Sequence, residues 1–159
     1  MDGRQTGIQV EIPGSEPLRL TQLLLDFTGT LSCDGVLLPG VAQRLELLGG
    51  ELRITVLTAD TFGSAAKQLE GLPLRLQLIQ TGQDKVDFLS RLGRAETAVV
   101  GNGRNDIGMV RGAGLGIVVI GPEGCAAELI GAAKVVCPDI LAALDLLLKP
   151  LRLKATLRA

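Results

Sequence analysis

The chain has 159 residues, a length that suits one domain, because folding at this size buries roughly two thirds of the surface and leaves room for one proper core. Sixteen basic and seventeen acidic residues give a net charge of -1, and aromatics make up 2% with no Trp or Tyr. There is thus no global field to attract nucleic acid or an anionic membrane and no platform for stacking bases, while the lack of any histidine excludes Ser-His-Asp and Cys-His catalysis and histidine-ligated metals.

Cys33, Cys125 and Cys137 are odd in number and show no C-x-x-C spacing, which argues against a disulfide framework and a zinc knuckle and for a reducing compartment. The polar start, Met1 to Thr6, has no apolar stretch of signal-peptide length after it, and the longest apolar region, 112–136, is broken by Pro122, Glu123 and Glu128. A soluble, cytoplasmic protein is the expectation.

In chain order, IQVEIPGSEPLRL alternates apolar and polar residues around a Pro-Gly-Ser turn and predicts an edge hairpin at residues 8–20. Continuous apolar runs at 23–25, 54–57, 74–79, 98–100 and 116–120 have the character of strands buried on both faces. Helical spacing occupies 41–48, 63–72, 84–92 and 123–133, and a last helix at 139–148 stops at Pro150. The remaining LRLKATLRA reads as a solvated end or an edge-packing segment. Alternation of this kind predicts an α/β fold: a single doubly wound parallel-sheet domain over 1–159, Rossmann-like, with right-handed crossovers and helices on both faces.

In open parallel sheets the ligand sits beyond the carboxyl ends of the strands, so the residues after each apolar run carry the information. They are Asp26-Phe27-Thr28-Gly29-Thr30, then Thr58-Ala59-Asp60, then Gly101 to Asp106, with Lys85 at the start of a helix. A carboxylate that attacks a phosphoryl group meets a charge of its own sign, and needs a divalent cation and a lysine to neutralise it. Magnesium takes hard oxygen ligands, which suits Asp26, the Thr28 backbone carbonyl and side-chain oxygens of Asn102 or Asp106. Thr58 would donate its hydroxyl to phosphate, and Gly29 and Gly101 would let their turns approach closely. Taken singly, these residues have plainer roles: Asp26 and Gly29 can end a strand, Thr58 can cap a helix, Asn102-Gly103 can make a turn, and Lys85 can be solvated.

The series D-F-T-G-T, a threonine in VLTAD, a lysine and GNGRND resembles the motifs of the haloacid dehalogenase (HAD) superfamily, closest to its P-type-ATPase-like branch. The whole chain, from the IPG hairpin through LTADTFG to ATLR, is similar to the small soluble P-type ATPase family. That resemblance implies Asp26, Thr58 and Lys85 as catalytic residues and substrate binding at Thr28, Gly29, Thr58, Ala59 and Lys85. It places Mg2+ on Asp26, Thr28, Asn102 and Asp106. The implied activity is that of a phosphohydrolase or phosphotransferase working through an aspartyl phosphate. Two departures stand out: Thr28 replaces the second aspartate of the superfamily's phosphatases, and Asn102 replaces the usual magnesium-binding aspartate. Loss of a general acid or base slows such reactions about 100- to 10,000-fold, so slow hydrolysis is expected, with a weakly active or non-catalytic phosphate- or metal-sensing module that acts through a partner protein as the alternative.

Between Thr30 and Thr58 there is room for a small flap at 32–40 and one helix, but not for a cap or nucleotide-binding domain. A large phosphorylated substrate or a second copy in a homo-oligomer would then supply the lid.

Overall fold

The structure, a computed structural model, describes residues 5–60 and 63–159. Residues 1–4, which open the polar N-terminus, and Thr61 and Phe62 of the LTADTFG stretch lie outside them. The chain enters as an antiparallel hairpin of β1 (Ile8–Val10) and β2 (Leu18–Leu20), with Ile8 opposite Leu20 and Val10 opposite Leu18. Both strands bury alternate residues, as the sequence pattern requires, and they form a sheet of their own.

Next come β3 (Gln22–Asp26) and a small second hairpin, β4 (Ser32–Cys33) and β5 (Val36–Leu37), within the expected flap. Its two-residue turn is Asp34-Gly35, with φ of 51° and 80°, the positive values that a tight hairpin turn needs at both central positions. Then follow α1 (Val41–Gly49), β6 (Arg53–Thr58), α2 (Ala65–Gln68), β7 (Arg75–Leu78), α3 (Gly82–Leu92) and β8 (Thr97–Gly101). The chain ends with α4 (Ile107–Gly112), β9 (Leu115–Val119), α5 (Ala127–Ile130), β10 (Val135–Cys137), α6 (Ile140–Leu148) and α7 (Pro150–Leu157).

Six strands form one parallel sheet in the order β10-β9-β8-β3-β6-β7. The chain winds outward from β3 to β7, then returns to the other side of β3 and winds out to β10. The reversal leaves a crevice between the carboxyl ends of β3 and β8, where open α/β sheets bind ligands. Strand alternation builds a core on each face. Leu23 and Leu25, with Ile54, Val56, Val100 and Ile117, pack under α1, α6 and the first hairpin. Leu24, Leu57, Val99 and Val118 face the other way, against Leu89 of α3, Met109 and Val110 of α4, and Leu129 of α5. Each fully buried Leu or Val of this kind contributes about 1.5–3 kcal/mol, so two apolar faces hold the sheet rigid behind the crevice. Among the described residues there is no large cap, and no helix is long and apolar enough to cross a membrane.

Several elements differ from expectation. α2 and α5 are single turns and not the longer helices anticipated at 63–72 and 123–133; Gly71 and Gly124 take positive φ, and Ala126 is extended. Strand β10 and helix α4 were not anticipated. The last nine residues are mostly helix: Pro150 sits in the first turn of α7, where its missing N–H is harmless. Leu153 is fully buried and Ala159 N donates to Pro13 O at 3.0 Å, so this end packs at the first hairpin and is not a solvated tail.

Candidate active site

Asp26 is the last residue of the central strand β3, paired with Leu57 of β6, and it is 6% exposed. Lys85 reaches it from the first turn of α3. A reciprocal cap fixes the start of that helix: Thr81 Oγ1 accepts from Asp84 N and an Asp84 carboxylate oxygen accepts from Thr81 N, both at 3.1 Å. The Lys85 ammonium donates to Asp26 Oδ1 at 2.9 Å and to Asp106 Oδ1 at 2.6 Å. One buried cation is therefore shared by two buried carboxylates.

Asp106 uses its other oxygen to fold the loop after β8, accepting from Asn102 N at 3.1 Å and Gly103 N at 3.0 Å. Gly101 makes this possible, since a Cβ there would lie 2.6 Å from Asp106 Oδ2. Gly29 serves Asn102 in the same way: its φ is +76° and a Cβ would lie 2.5 Å from Asn102 Nδ2. The glycines thus make room for functional side chains, in addition to letting the turns pass near a ligand.

Thr30 is the hub that sequence reasoning left without a role. Its hydroxyl lies 3.0 Å from Asp26 Oδ2 and 3.0 Å from Asn102 Oδ1, so its single proton is shared between the two oxygens. Asn102 Nδ2 donates to Gly124 O at 3.0 Å, which turns Oδ1 toward Thr30. Thr58 is buried, and its hydroxyl oxygen accepts from Asp60 N at 2.9 Å, leaving the proton free to be donated. Asp60 itself, at φ 55°, accepts from Ala65 N at 3.1 Å and steadies the entry to α2.

These groups wall a cavity of about 220 Å³. Of the residues singled out in the sequence, Asp26, Thr28, Thr58, Ala59, Lys85 and Asn102 line it; Gly29 is buried beside Asn102, and Asp106 does not reach the cavity. Gly103, Asn105 and Glu123 complete the lining. Glu123 also meets the flap, since its Oε2 accepts from Asp34 N at 3.1 Å. On the other side Ser64 Oγ donates to Gly35 O at 2.7 Å and Gln68 Oε1 accepts from Leu37 N at 2.9 Å. Among the described residues, the larger cavities of about 270 Å³ beside the first hairpin and about 440 Å³ along α3 lack any comparable set of buried charges.

Burial and the neighbouring Asp106 carboxylate push the Asp26 carboxyl up to about 7, against the downward pull of Lys85 and Thr30. Burial alone would lower Lys85, but Asp26 and Asp106 outweigh it and hold the ammonium charged. Two carboxylates around one cation leave negative charge in excess. With the oxygens of Asp26 and Asn102 on either side of one hydroxyl, the donor set fits a hard divalent cation. Asp106 has both oxygens occupied by protein donors.

No known family model matches the chain. An uncharacterized protein of Methanocaldococcus jannaschii is 51% identical over 59 residues, which is 37% of this chain and 63% of that protein's length. A structure assigned to the HAD superfamily hydrolases, subfamily III A, from Legionella pneumophila superposes with a TM-score of 0.70 at 17% identity, covering 86% of each chain. Cobalt-bound deoxy-D-mannose-octulosonate 8-phosphate phosphatase from Haemophilus influenzae gives 0.69 at 14% identity over 82% of this chain and 88% of the other. The 3-deoxy-D-manno-octulosonate 8-phosphate phosphatase of Moraxella catarrhalis, in complex with magnesium, phosphate and KDO, gives 0.63 at 18% identity, covering 82% and 86%. By its six-stranded parallel sheet and these superpositions, the chain has the fold of the haloacid dehalogenase superfamily hydrolases.

Proposed function

We propose that this protein is a magnesium-dependent phosphatase or phosphotransferase that forms an aspartyl phosphate on Asp26. The observation that carries the reading is the buried Lys85 ammonium shared between Asp26 and Asp106 at the wall of a cavity that also holds Thr58 and Asn102. Asp26 is the nucleophile, attacking phosphorus as the ester oxygen leaves. Lys85 neutralises the nucleophile and then the charge that develops on the phosphoryl oxygens, and Thr58 donates its free proton to one of them. Magnesium, when bound, would supply charge neutralisation and Lewis-acid polarisation of the phosphoryl group, and Asp26, the Asn102 side-chain oxygen and the Thr28 carbonyl would hold it.

Asp106 acts through others: it holds Lys85 and the Asn102-Gly103 turn in place, and with both oxygens engaged it stands behind the metal ligands. Structural neighbours that are phosphatases, with magnesium or cobalt present, support the choice of a phosphate ester and a divalent cation. Within the fold, the D-F-T-G-T motif supports a place near the soluble P-type-ATPase-like branch. Free thiols at Cys33, Cys125 and Cys137 support a reducing, cytoplasmic setting.

The test is phosphate release from a panel of phosphate esters with magnesium by the wild type and by Asp26→Asn. Release by the wild type and none by the variant is expected; equal turnover removes Asp26 as nucleophile.

A further inference from the structure

An aspartyl phosphate must be hydrolysed to complete a phosphatase cycle, and attacking water is a poor nucleophile unless a base takes its proton. Among the described residues, three titratable side chains line the site cavity: Asp26, Lys85 and Glu123. Asp26 carries the phosphoryl group at that stage, and the Lys85 ammonium still donates to the buried Asp106 carboxylate at 2.6 Å, which keeps it charged, so neither can accept a proton. Thr28 and Thr58 are hydroxyls with no basic partner, and Asp106 does not reach the cavity. Glu123 is left, an exposed carboxylate on the loop after β9 that the Lys85 network does not use.

We infer that Glu123 is the general base that activates water against phospho-Asp26, a role that rests on the proposed nucleophile. The water oxygen attacks phosphorus, its proton passes to the Glu123 carboxylate, and the bond between phosphorus and the Asp26 oxygen breaks with its electron pair returning to Asp26. Exposure lets Glu123 hand the proton on to solvent and reset. Fold geometry supplies the placement. Gly124 O accepts from Asn102 Nδ2 at 3.0 Å and Ala126 N donates to Asn102 O at 2.9 Å, so the loop that bears Glu123 is fastened to the loop that bears Asn102. Glu123 Oε2 accepts from Asp34 N at the flap tip at 3.1 Å, which ties the carboxylate to the flap at the cavity wall.

That last contact also makes Glu123 a flap anchor, and the choice of variants separates the anchor from the base. Glu123→Gln keeps an amide oxygen that accepts the Asp34 N–H but has no basic oxygen; Glu123→Ala loses both. With p-nitrophenyl phosphate and magnesium, whose leaving group needs no acid, nitrophenol appears in the first step and phosphate in the second. Glu123→Gln is expected to release nitrophenol in a burst, accumulate an aspartyl phosphate on Asp26, and release phosphate about 100-fold more slowly than the wild type, within the range for losing a general base. Glu123→Asp should recover part of that loss. Wild-type phosphate release by Glu123→Gln, with only Glu123→Ala impaired, would make the residue an anchor and overturn the inference while leaving Asp26 as nucleophile. Turnover by Asp26→Asn would overturn both readings.

Discussion

Lys85 Nζ lies 2.6 Å from Asp106 Oδ1 and 2.9 Å from Asp26 Oδ1, and Asp106, though fully buried, never touches the cavity. The pairing is therefore a relay of position: the loop after β8 sets Asp106, Asp106 sets the ammonium, and the ammonium sets Asp26. Lys85→Met removes the cation and leaves two buried carboxylates facing one another. Breaking a buried ion pair by deleting one partner costs about 3–5 kcal/mol, and the lower end is expected because Asp26 can take up a proton. Urea unfolding at neutral pH measures it. A midpoint equal to that of the wild type would mean that the carboxylates do not depend on Lys85.

Metal removal should show a defined pH signature. In the metal-free protein burial holds Asp26 at about 7, well above the usual carboxylate range, so the folded state binds a proton that the unfolded chain has released. Below the ordinary carboxylate pKa of about 4 this preference stabilises the fold in full, and it is lost as pH rises toward about 7. A divalent cation competes with that same proton. Magnesium is accordingly expected to raise the melting temperature more at about pH 8 than at about pH 5. Asp26→Asn should abolish the difference; the same magnesium shift at both pH values would argue against Asp26 as a ligand.

Gly101→Ala tests the loop end of the relay. The added Cβ would lie 2.6 Å from Asp106 Oδ2 and 2.7 Å from its Cγ, on a fully buried carboxylate that has nowhere to go. Overpacking of this kind costs about 1–3 kcal/mol, and displacement of Asp106 should lower turnover as well. Gly131→Ala is the control, because nothing lies within 4 Å of its added Cβ and its φ of −71° suits any residue. Thermal melts of both variants should separate them; equal melting temperatures would show that Asp106 can yield.

Much of this arrangement was legible in the chain because two-faced burial leaves an unbroken apolar run. Leu23-Leu24-Leu25 sends alternate side chains into two cores, and the run, closed by Asp26 and the turn at Gly29, fits a central strand. The rule that ligands meet strand ends then led directly to Asp26, Thr58 and Asn102. Shorter elements gave too little pattern. Val135–Cys137 is a three-residue edge strand between Lys134 and Pro138, with an exposed residue at its centre. Pro150 in the sequence marks the end of one helix and equally the start of another, α7, since the two roles differ only in the conformation of the residue before it, Lys149 at φ −127° and ψ 73°. Thr30 and Glu123 escaped for another reason. Thr30 stands within the motif but its partner Asn102 is 72 residues away, and Glu123 sits in a loop that looked like the start of a helix. Applying the strand-end rule to β9 as well would have pointed to Glu123.

Asn102→Asp links the donor set to metal affinity. In the native chain the amide nitrogen donates to Gly124 O while the amide oxygen shares the Thr30 proton with Asp26. An aspartate keeps the oxygen and adds a negative charge, which strengthens a hard-cation site; about tenfold tighter magnesium binding, roughly 1.4 kcal/mol, is expected by calorimetry. The same change turns a donor into an acceptor against Gly124 O, so the metal-free variant should lose about 1–3 kcal/mol of stability. Opposite signs in the two measurements are the signature of a ligand held in place by its own loop. An unchanged magnesium affinity with the stability loss intact would reduce Asn102 to a structural contact and move the cation toward Asp26 and Thr28 alone.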